Sequence, residues 1–359
     1  MHFEQQEHRV RREWGKSMNS LARSRIALFV GVLALAGGTV TVCTGVASAA
    51  AAHKGTSAKQ HKSAKQHKGT SAKHLTIGLA SEGLTAPFPV GIANGVKAVG
   101  HKDGVKTVVM NGKLTVSTQK GDIQDLIAEH VSGILIDVIE AGPTASMVKE
   151  ANAAHIPVML VHGYAGSTAD PVHKGVAFEI DENEPRAGKE AGKLGLKADP
   201  NGGEVAIVTG TPGYQAVTQR MDGFKSELTS KYKVVATQSG TWTASGGYSA
   251  CQNMFQAHPG IALVFTESDT MAAGCLKAEK ASSTNAKIVS IGGEKLIKND
   301  IKNGAIYGTV CYEPKTEGEI AMTQMVKQLE GKIHDSRKLD FYNTPAITKS
   351  NINKCGWQW

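Results

Sequence analysis

No signature of the common catalytic classes runs through this chain. It lacks G-x-S-x-G, H-E-x-x-H, G-x-G-x-x-G and a Walker sequence, so serine-nucleophile, zinc-protease, dinucleotide and P-loop chemistry have no motif to rest on. Gly188-Lys189-Glu190-Ala191-Gly192-Lys193 imitates a phosphate loop, but Leu194 stands where Ser or Thr belongs. It reads instead as a helix packed closely on a sheet. No C-x-x-C or other metal-ligand spacing links the cysteines. No apolar run reaches the ~18 residues that a membrane span needs; Ile26–Ala36 is cut short by Gly37, Gly38 and Thr39.

What is present at the N-terminus reads as an export leader. Arg23 and Arg25 precede the apolar stretch, and Ala47-Ser48-Ala49 closes it as a small-residue cleavage site. Residues 1–49 are therefore expected to be a signal peptide, with Met1 and Met18 both open as the start. A retained anchor and a lipid on Cys43 are the competing readings; Val42 before that cysteine is bulkier than such sites usually carry. Residues 50–74 repeat HKGTSAKQ with no acid, no aromatic and no apolar face. Such a segment cannot offset the entropy of folding and is expected to be a disordered linker.

The charge sits in these segments. The leader holds six basic and three acidic residues and the linker six lysines, which leaves residues 75–359 at −1 of the total +8. The folded part offers no basic footprint for nucleic acid. A solvated spacer is the plainer reading of the linker; attachment to surface phosphates and metal binding by His53, His61, His67 and His74 are the sharper ones.

Beyond the linker, short β-branched runs alternate with helical patterns. The spacing predicts strands at Thr76–Ala80, Lys106–Met110, Gly133–Asp137, Pro157–Val161, Gly175–Glu179, Glu204–Val208, Val234–Ser239, Ala262–Thr266, Lys287–Ile291 and Ile306–Val310. A run such as Gly133-Ile134-Leu135-Ile136 is apolar on both faces, as buried parallel strands are. A stretch of this length exceeds what one core usually supports, so two α/β lobes are expected. Ligand sites then lie at the C-terminal ends of the strands, and Asp181-Glu182-Asn183 is a natural crossing between lobes. Of the four cysteines past the leader, Cys251 and Cys275 fall on successive predicted helices and are paired, which leaves Cys311 with Cys355. Buried free thiols are the alternative. Acids at strand ends (Glu82, Asp137, Glu267, Asp269, Glu294, Glu313) cannot be paired across a bond from sequence, and Asp269 reads as a helix N-cap.

From Leu75 to about Thr348 the chain resembles the ribose-binding type of periplasmic binding protein, the type I solute-binding component of sugar ABC importers. The resemblance runs through TIGLASEGLTAPFPVGI, GILIDVIEAGP, ANAAHIPVMLV, ENEPRAGKEAG, QRMDGF, CQNMFQAHPGIALVFTESDTMAAGCLKA and IVSIGGEKLIKNDIKNGAIYGTV. It implies two doubly wound parallel-sheet lobes joined by three hinge crossings, with 75–180 plus 313–341 forming the N-terminal lobe and 181–312 plus 342–359 the C-terminal one. It also implies an exported, non-enzymatic, monomeric protein without cofactor, nucleic acid or metal. Such a protein captures a sugar, polyol or related molecule and hands it to a membrane permease. A sensory module and a binder of an amine-bearing or more apolar ligand are the alternatives. A DNA-binding regulator of this fold is excluded, because no helix-turn-helix precedes the lobe.

By that resemblance Phe88 and Trp242 are aromatic walls against the ligand, and Asp137, Ser268 and Tyr312 are polar contacts. The chain also departs from the sugar binders. His162-Gly163 replaces an Asp-Arg pair, Thr218 an arginine and Gly292 an aspartate. His162, Glu82, Glu267 and Glu294 are candidates to rebuild the polar set, and Gly163 and Gly292 are expected to widen the cleft.

Overall fold

A computed structural model describes residues 74–165, 173–282, 284–333 and 338–359. The expected signal peptide with Cys43, and the linker up to residue 73, lie outside the described residues. Among the described residues, no helix is long and apolar enough to cross a membrane.

The elements alternate as the sequence pattern requires: β1 (Thr76–Ser81), α1 (Pro87–Asp103), β2 (Lys106–Asn111), α2 (Val116–Ala128), β3 (Gly133–Asp137), α3 (Ala141–Ala153), β4 (Val158–Val161) and β5 (Val176–Asp181). There follow α4 (Glu184–Ala198), β6 (Gly203–Thr209), α5 (Gln215–Glu227), β7 (Tyr232–Ser239), α6 (Ala244–Ala257), β8 (Ile261–Thr266), α7 (Asp269–Ser282), β9 (Lys287–Gly292), α8 (Lys298–Asn303) and β10 (Gly308–Cys311). The last are α9 (Pro314–Leu329), β11 (Lys338–Phe341) and β12 (Ala346–Thr348).

They form two six-stranded sheets, ordered β11-β5-β4-β3-β1-β2 and β12-β10-β9-β8-β6-β7. Among the described residues, every pairing is parallel except β10 with β12. The central strand β3 is buried along its whole length, because helices cover both faces. In the first sheet, Ile92 and Val96 of α1 and Met322 and Met325 of α9 pack on one face, while Ile123 and Leu126 of α2 and Met147 of α3 pack on the other. The second sheet is covered likewise by Phe224 and Leu194 on one side and Met254, Met271 and Cys275 on the other. The chain crosses between the sheets three times: after β5, after β10, and between β11 and β12.

Two features depart from the sequence reading. The edge strands β11 and β12 were not expected; KLDF and AIT are short and only partly buried, so they carry no apolar run to announce them. And the glycines of the run 188–193 seat α4 on a helix as well as on the sheet that Ala187, Ala191 and Leu194 cover. A Cβ on Gly188 would overlap the backbone of Arg220, and one on Gly192 would crowd Glu227 and Phe224, all of α5. From the other side, Gly223 faces the Pro185 carbonyl with equal closeness. Disulfides link Cys251 to Cys275 and Cys311 to Cys355, with Cα separations of 5.2 and 5.8 Å. The first joins α6 to α7, and the second ties the end of β10 to the segment that follows the 3-10 turn Lys349–Lys354.

Gly223→Ala is expected to force α4 and α5 apart and cost ~1–3 kcal/mol, as overpacking does. In a urea titration the midpoint should fall with the slope unchanged. Gly121→Ala, on α2 with open space around it, should leave the midpoint level or raise it. Equal behaviour of the two variants would refute the close-packing account.

Candidate functional site

Phe88 enters from the first turn of α1, which Pro87 starts with its fixed backbone angle. Three rings touch it: His162 at 4.5 Å, Trp359 at 5.0 Å and Tyr312 at 6.1 Å between centroids. His162 belongs to the first lobe. Tyr312 follows β10 and packs in the core of the second, so Phe88 reaches across the gap between lobes.

His162 ends β4 with its backbone in the left-handed region (φ 55°), an arrangement that a bulky residue adopts only when its surroundings hold it there. Its Nδ1 lies 2.9 Å from Oε1 of Glu182, and its N–H donates to Glu317 Oε1 at 2.9 Å. Burial alone would lower the imidazole pKa, but Glu182, with Glu82 and Asp137 behind it, raises it well above the ordinary value. Burial pushes Glu182 up too, and the imidazolium outweighs that and holds the carboxylate at about 2. Glu317 is raised well above its usual range by burial and by Glu182 beside it. Glu317 thus keeps its proton beside the ionised Glu182. The hydroxyl of Tyr342, at the third crossing, donates to Glu182 at 3.4 Å and accepts from Glu313 N at 3.2 Å.

On the second lobe, Arg220 of α5 is buried and donates through Nε and Nη2 to both oxygens of Glu184, and through Nη1 to the Glu267 carbonyl. The Tyr312 hydroxyl donates to the same Glu184 carboxylate. The guanidinium lies between two aromatic faces, 5.5 Å from Trp242 and 5.1 Å from Tyr312, at distances where cation–π attraction operates. Trp242, also left-handed (φ 60°), sits on Gly210, where any side chain would overlap its ring, and edge-on to Tyr214. Trp242 therefore lies on its own lobe; the rings facing Phe88 from the second lobe are Tyr312 and Trp359.

The acids divide into two kinds. Asp137 is fully buried at the end of β3, and its Oδ2 accepts from Ser81 Oγ and Glu82 N at 3.2 Å each. Glu267 is fully buried at the end of β8 and accepts from Gly210 N at 2.8 Å. Each keeps one oxygen, Asp137 Oδ1 and Glu267 Oε1, without a hydrogen-bond partner. Burial raises Asp137 well above the carboxylate range, raises Glu82 as well, and pushes Glu267 to about 8. The remaining acids hold the fold. Asp269 is not the N-cap of α7: that role falls to Ser268, whose Oγ accepts from Met271 N at 3.2 Å. Asp269 is instead fully buried and accepts from Ser290, Thr309 and Glu294 N. Glu294 accepts from Thr270 N at 2.9 Å, so both Ser268 and Glu294 are engaged at the start of α7. Gly292 does not widen the cleft, because the Asp269 carboxylate fills the space a Cβ there would take.

The lobes are closed on each other. Gln219 Nε2 of the second donates to the Tyr164 hydroxyl of the first at 2.7 Å. Beside this bridge lies a cavity of about 30 Å³, lined from one lobe by Val138, Gly163 and Tyr164 and from the other by Tyr214 and Gln219. That leaves room for about two or three waters. His162, Glu182 and Glu184 come within metal-ligating distance of one another, but the ring and carboxylates are already committed to the ion pairs described above. Sequence reasoning marks Glu182 only as part of a crossing and misses Glu184, Tyr214 and Trp359 as site residues. Glu184 lies within ENEPRAGKEAG, one of the segments that carry the family resemblance.

Residues 77–333 match the family model described as a periplasmic binding protein domain. The ribose import binding protein RbsB of Bacillus subtilis is 31% identical over 261 residues, covering 72% of this chain and 83% of that one. A solute-binding protein of Burkholderia graminis solved with D-arabinose is 26% identical, with a TM-score of 0.72, covering 79% of this chain and 98% of its own. One from Bacillus halodurans with bound myo-inositol shares the fold at 18% identity and a TM-score of 0.73, covering 81% and 100%.

Glu267 carries a pH test. Its folded pKa of about 8 lies above its ordinary 4.5, so it contributes stability that is complete below about pH 4.5 and lost as pH rises toward 8. The urea midpoint of the wild type should therefore fall between about pH 5 and about pH 8. Glu267→Gln, which keeps the shape of the neutral acid, should show a shallower fall. An unchanged pH slope in the variant would overturn the assignment.

Proposed function

This chain belongs to the periplasmic binding protein domain family, and from that membership we propose that it is a solute-binding protein. It captures a sugar, polyol or related small molecule between its lobes and delivers it to an ABC permease, without chemical turnover. In this reading 75–180 with 313–341 form one jaw, and 181–312 with 342–359 the other. The observation that carries it is Phe88: an aromatic ring at the strand ends of one lobe, held against rings of the other. An aromatic plane gives a sugar's C–H face large burial at little rotamer cost. Asp137 Oδ1 and Glu267 Oε1, one from each lobe and both without a protein partner, supply polar atoms for hydroxyls.

The same acids favour a second reading, an amine-bearing ligand. Glu82, Asp137 and Glu267 have no buried cation among the described residues devoted to them, since His162 pairs with Glu182 and Arg220 with Glu184. A ligand ammonium would take the place of their protons.

Titration with D-ribose, D-arabinose, myo-inositol and D-glucosamine separates these readings. A ligand held at a hundredfold its Kd should stabilise the fold by about 2.7 kcal/mol, with a more compact scattering profile and unaltered ligand recovered afterwards. Preference for D-glucosamine selects the amine reading, and a product in the recovered material would refute the binding role. Failure of all four to shift the melting temperature would remove the sugar assignment.

A further inference from the structure

The segment from Cys355 to Trp359 spans the two lobes beside Phe88. It is anchored to the second lobe by the Cys311–Cys355 disulfide, by Lys295 N donating to the Trp359 carbonyl at 2.7 Å, and by Trp359 Nε1 donating to the Gly292 carbonyl at 3.2 Å. It also grips the start of α9, on the first lobe. Gln358 Nε2 donates to Thr316 Oγ1 at 2.7 Å, and Thr316 N returns a bond to Gln358 Oε1 at 3.2 Å. Gly356 N donates to Glu313 Oε1 at 3.1 Å.

The two tryptophans of the segment do different work. Trp357 is buried, donates to the Ile352 carbonyl and lies under Lys298, which makes it an anchor. Trp359 is only half-buried, and its ring stands nearly perpendicular to Phe88, at 80° and 5.0 Å. The edge-to-face geometry is one that aromatic pairs favour.

We infer that Trp359 is a wall of the ligand site, a specificity-determining ring that a disulfide-pinned strap holds opposite Phe88. The inference rests on the reading of Phe88 as the ligand platform. The indole is positioned by β9 and β10, so it moves with the second lobe, while Phe88 moves with the first. Closure brings the two rings together, and whatever stacks on Phe88 is bounded by Trp359. This gives the second lobe the aromatic surface that Trp242, turned toward Arg220, does not present.

The test uses the full chain with Trp359→Ala and Trp359→Phe. Calorimetry with D-ribose, D-arabinose, myo-inositol and D-glucosamine should show, for any compound that binds the wild type, a Kd raised about tenfold or more by the alanine. The phenylalanine should hold it within about threefold. Equal or tighter binding by Trp359→Ala overturns the inference. If none of the four binds the wild type, the sugar reading fails while the strap is still tested by small-angle scattering without ligand. A more expanded Trp359→Ala beside a wild-type-like Trp359→Phe supports the contact across the lobes, and superimposable profiles of wild type and alanine variant overturn it.

Discussion

Two glutamates either side of one left-handed residue govern the geometry of this molecule. Glu182 turns to His162 of the first lobe, and Glu184 turns to Arg220 of the second; Asn183 between them has φ 60° and caps α4 through Arg186 N. Both glutamates and Arg220 are buried, with His162 partly so, and a buried charge left without its partner is strongly destabilising. The first crossing is therefore fixed at both ends, each end to a different lobe. The second and third crossings join the same network, because Tyr312 donates to Glu184 and Tyr342 to Glu182. Under the proposed binding role, closure and opening would pivot about this set. The Arg220–Glu184 pair in turn depends on α4 and α5 approaching as closely as Gly188 and Gly223 permit.

The departures from the sugar-binding pattern take on a physical meaning here. Where those relatives are expected to use ionised groups to read hydroxyls, His162 and Arg220 here are committed to internal glutamates. The acids left over are held in low dielectric and retain their protons. A protonated carboxyl both donates and accepts. Under the proposed binding role, Asp137 and Glu267 would suit hydroxyl groups despite their nominal charge, and a cationic ligand would draw their protons off.

Much of the fold was legible because both faces of each central strand are buried. Runs such as Gly133–Asp137 and Ala262–Thr266 announce themselves by composition alone. The edge strands β11 and β12 have no such signal, since their pairing is dictated by where the third crossing leaves the chain. The site was legible in its parts but not in its pairings. Phe88 is marked by the Pro-Phe-Pro that opens α1, and Arg220 by its segment. That Trp242 turns toward Arg220 while Trp359 turns toward Phe88 depends on Gly210 and on the Cys311–Cys355 link, contacts that no local pattern encodes. Asp269 misled for a related reason. An aspartate at a helix start reads as a cap, yet here Ser268 caps, and Asp269 is drawn inward by Ser290 and Thr309.

The interleaving of the two sheets also sets an order of assembly. Helix α1 carries Gly91 and Gly95, which are shaped to fit Pro314 and the backbone of Lys315 on α9, and Gly318 of α9 fits the backbone of Ile92 in return. Those partners are separated by the whole of the second sheet's main segment. The lobe that begins the fold cannot close its core until that intervening body has been made, and contacts of such long sequence separation form late. The second body, nearly continuous from α4 to β10, can condense first and deliver α9 to its seat. An emerging chain would then hold its opening lobe unfinished until β11, the edge of that first sheet, has followed the second sheet's main segment.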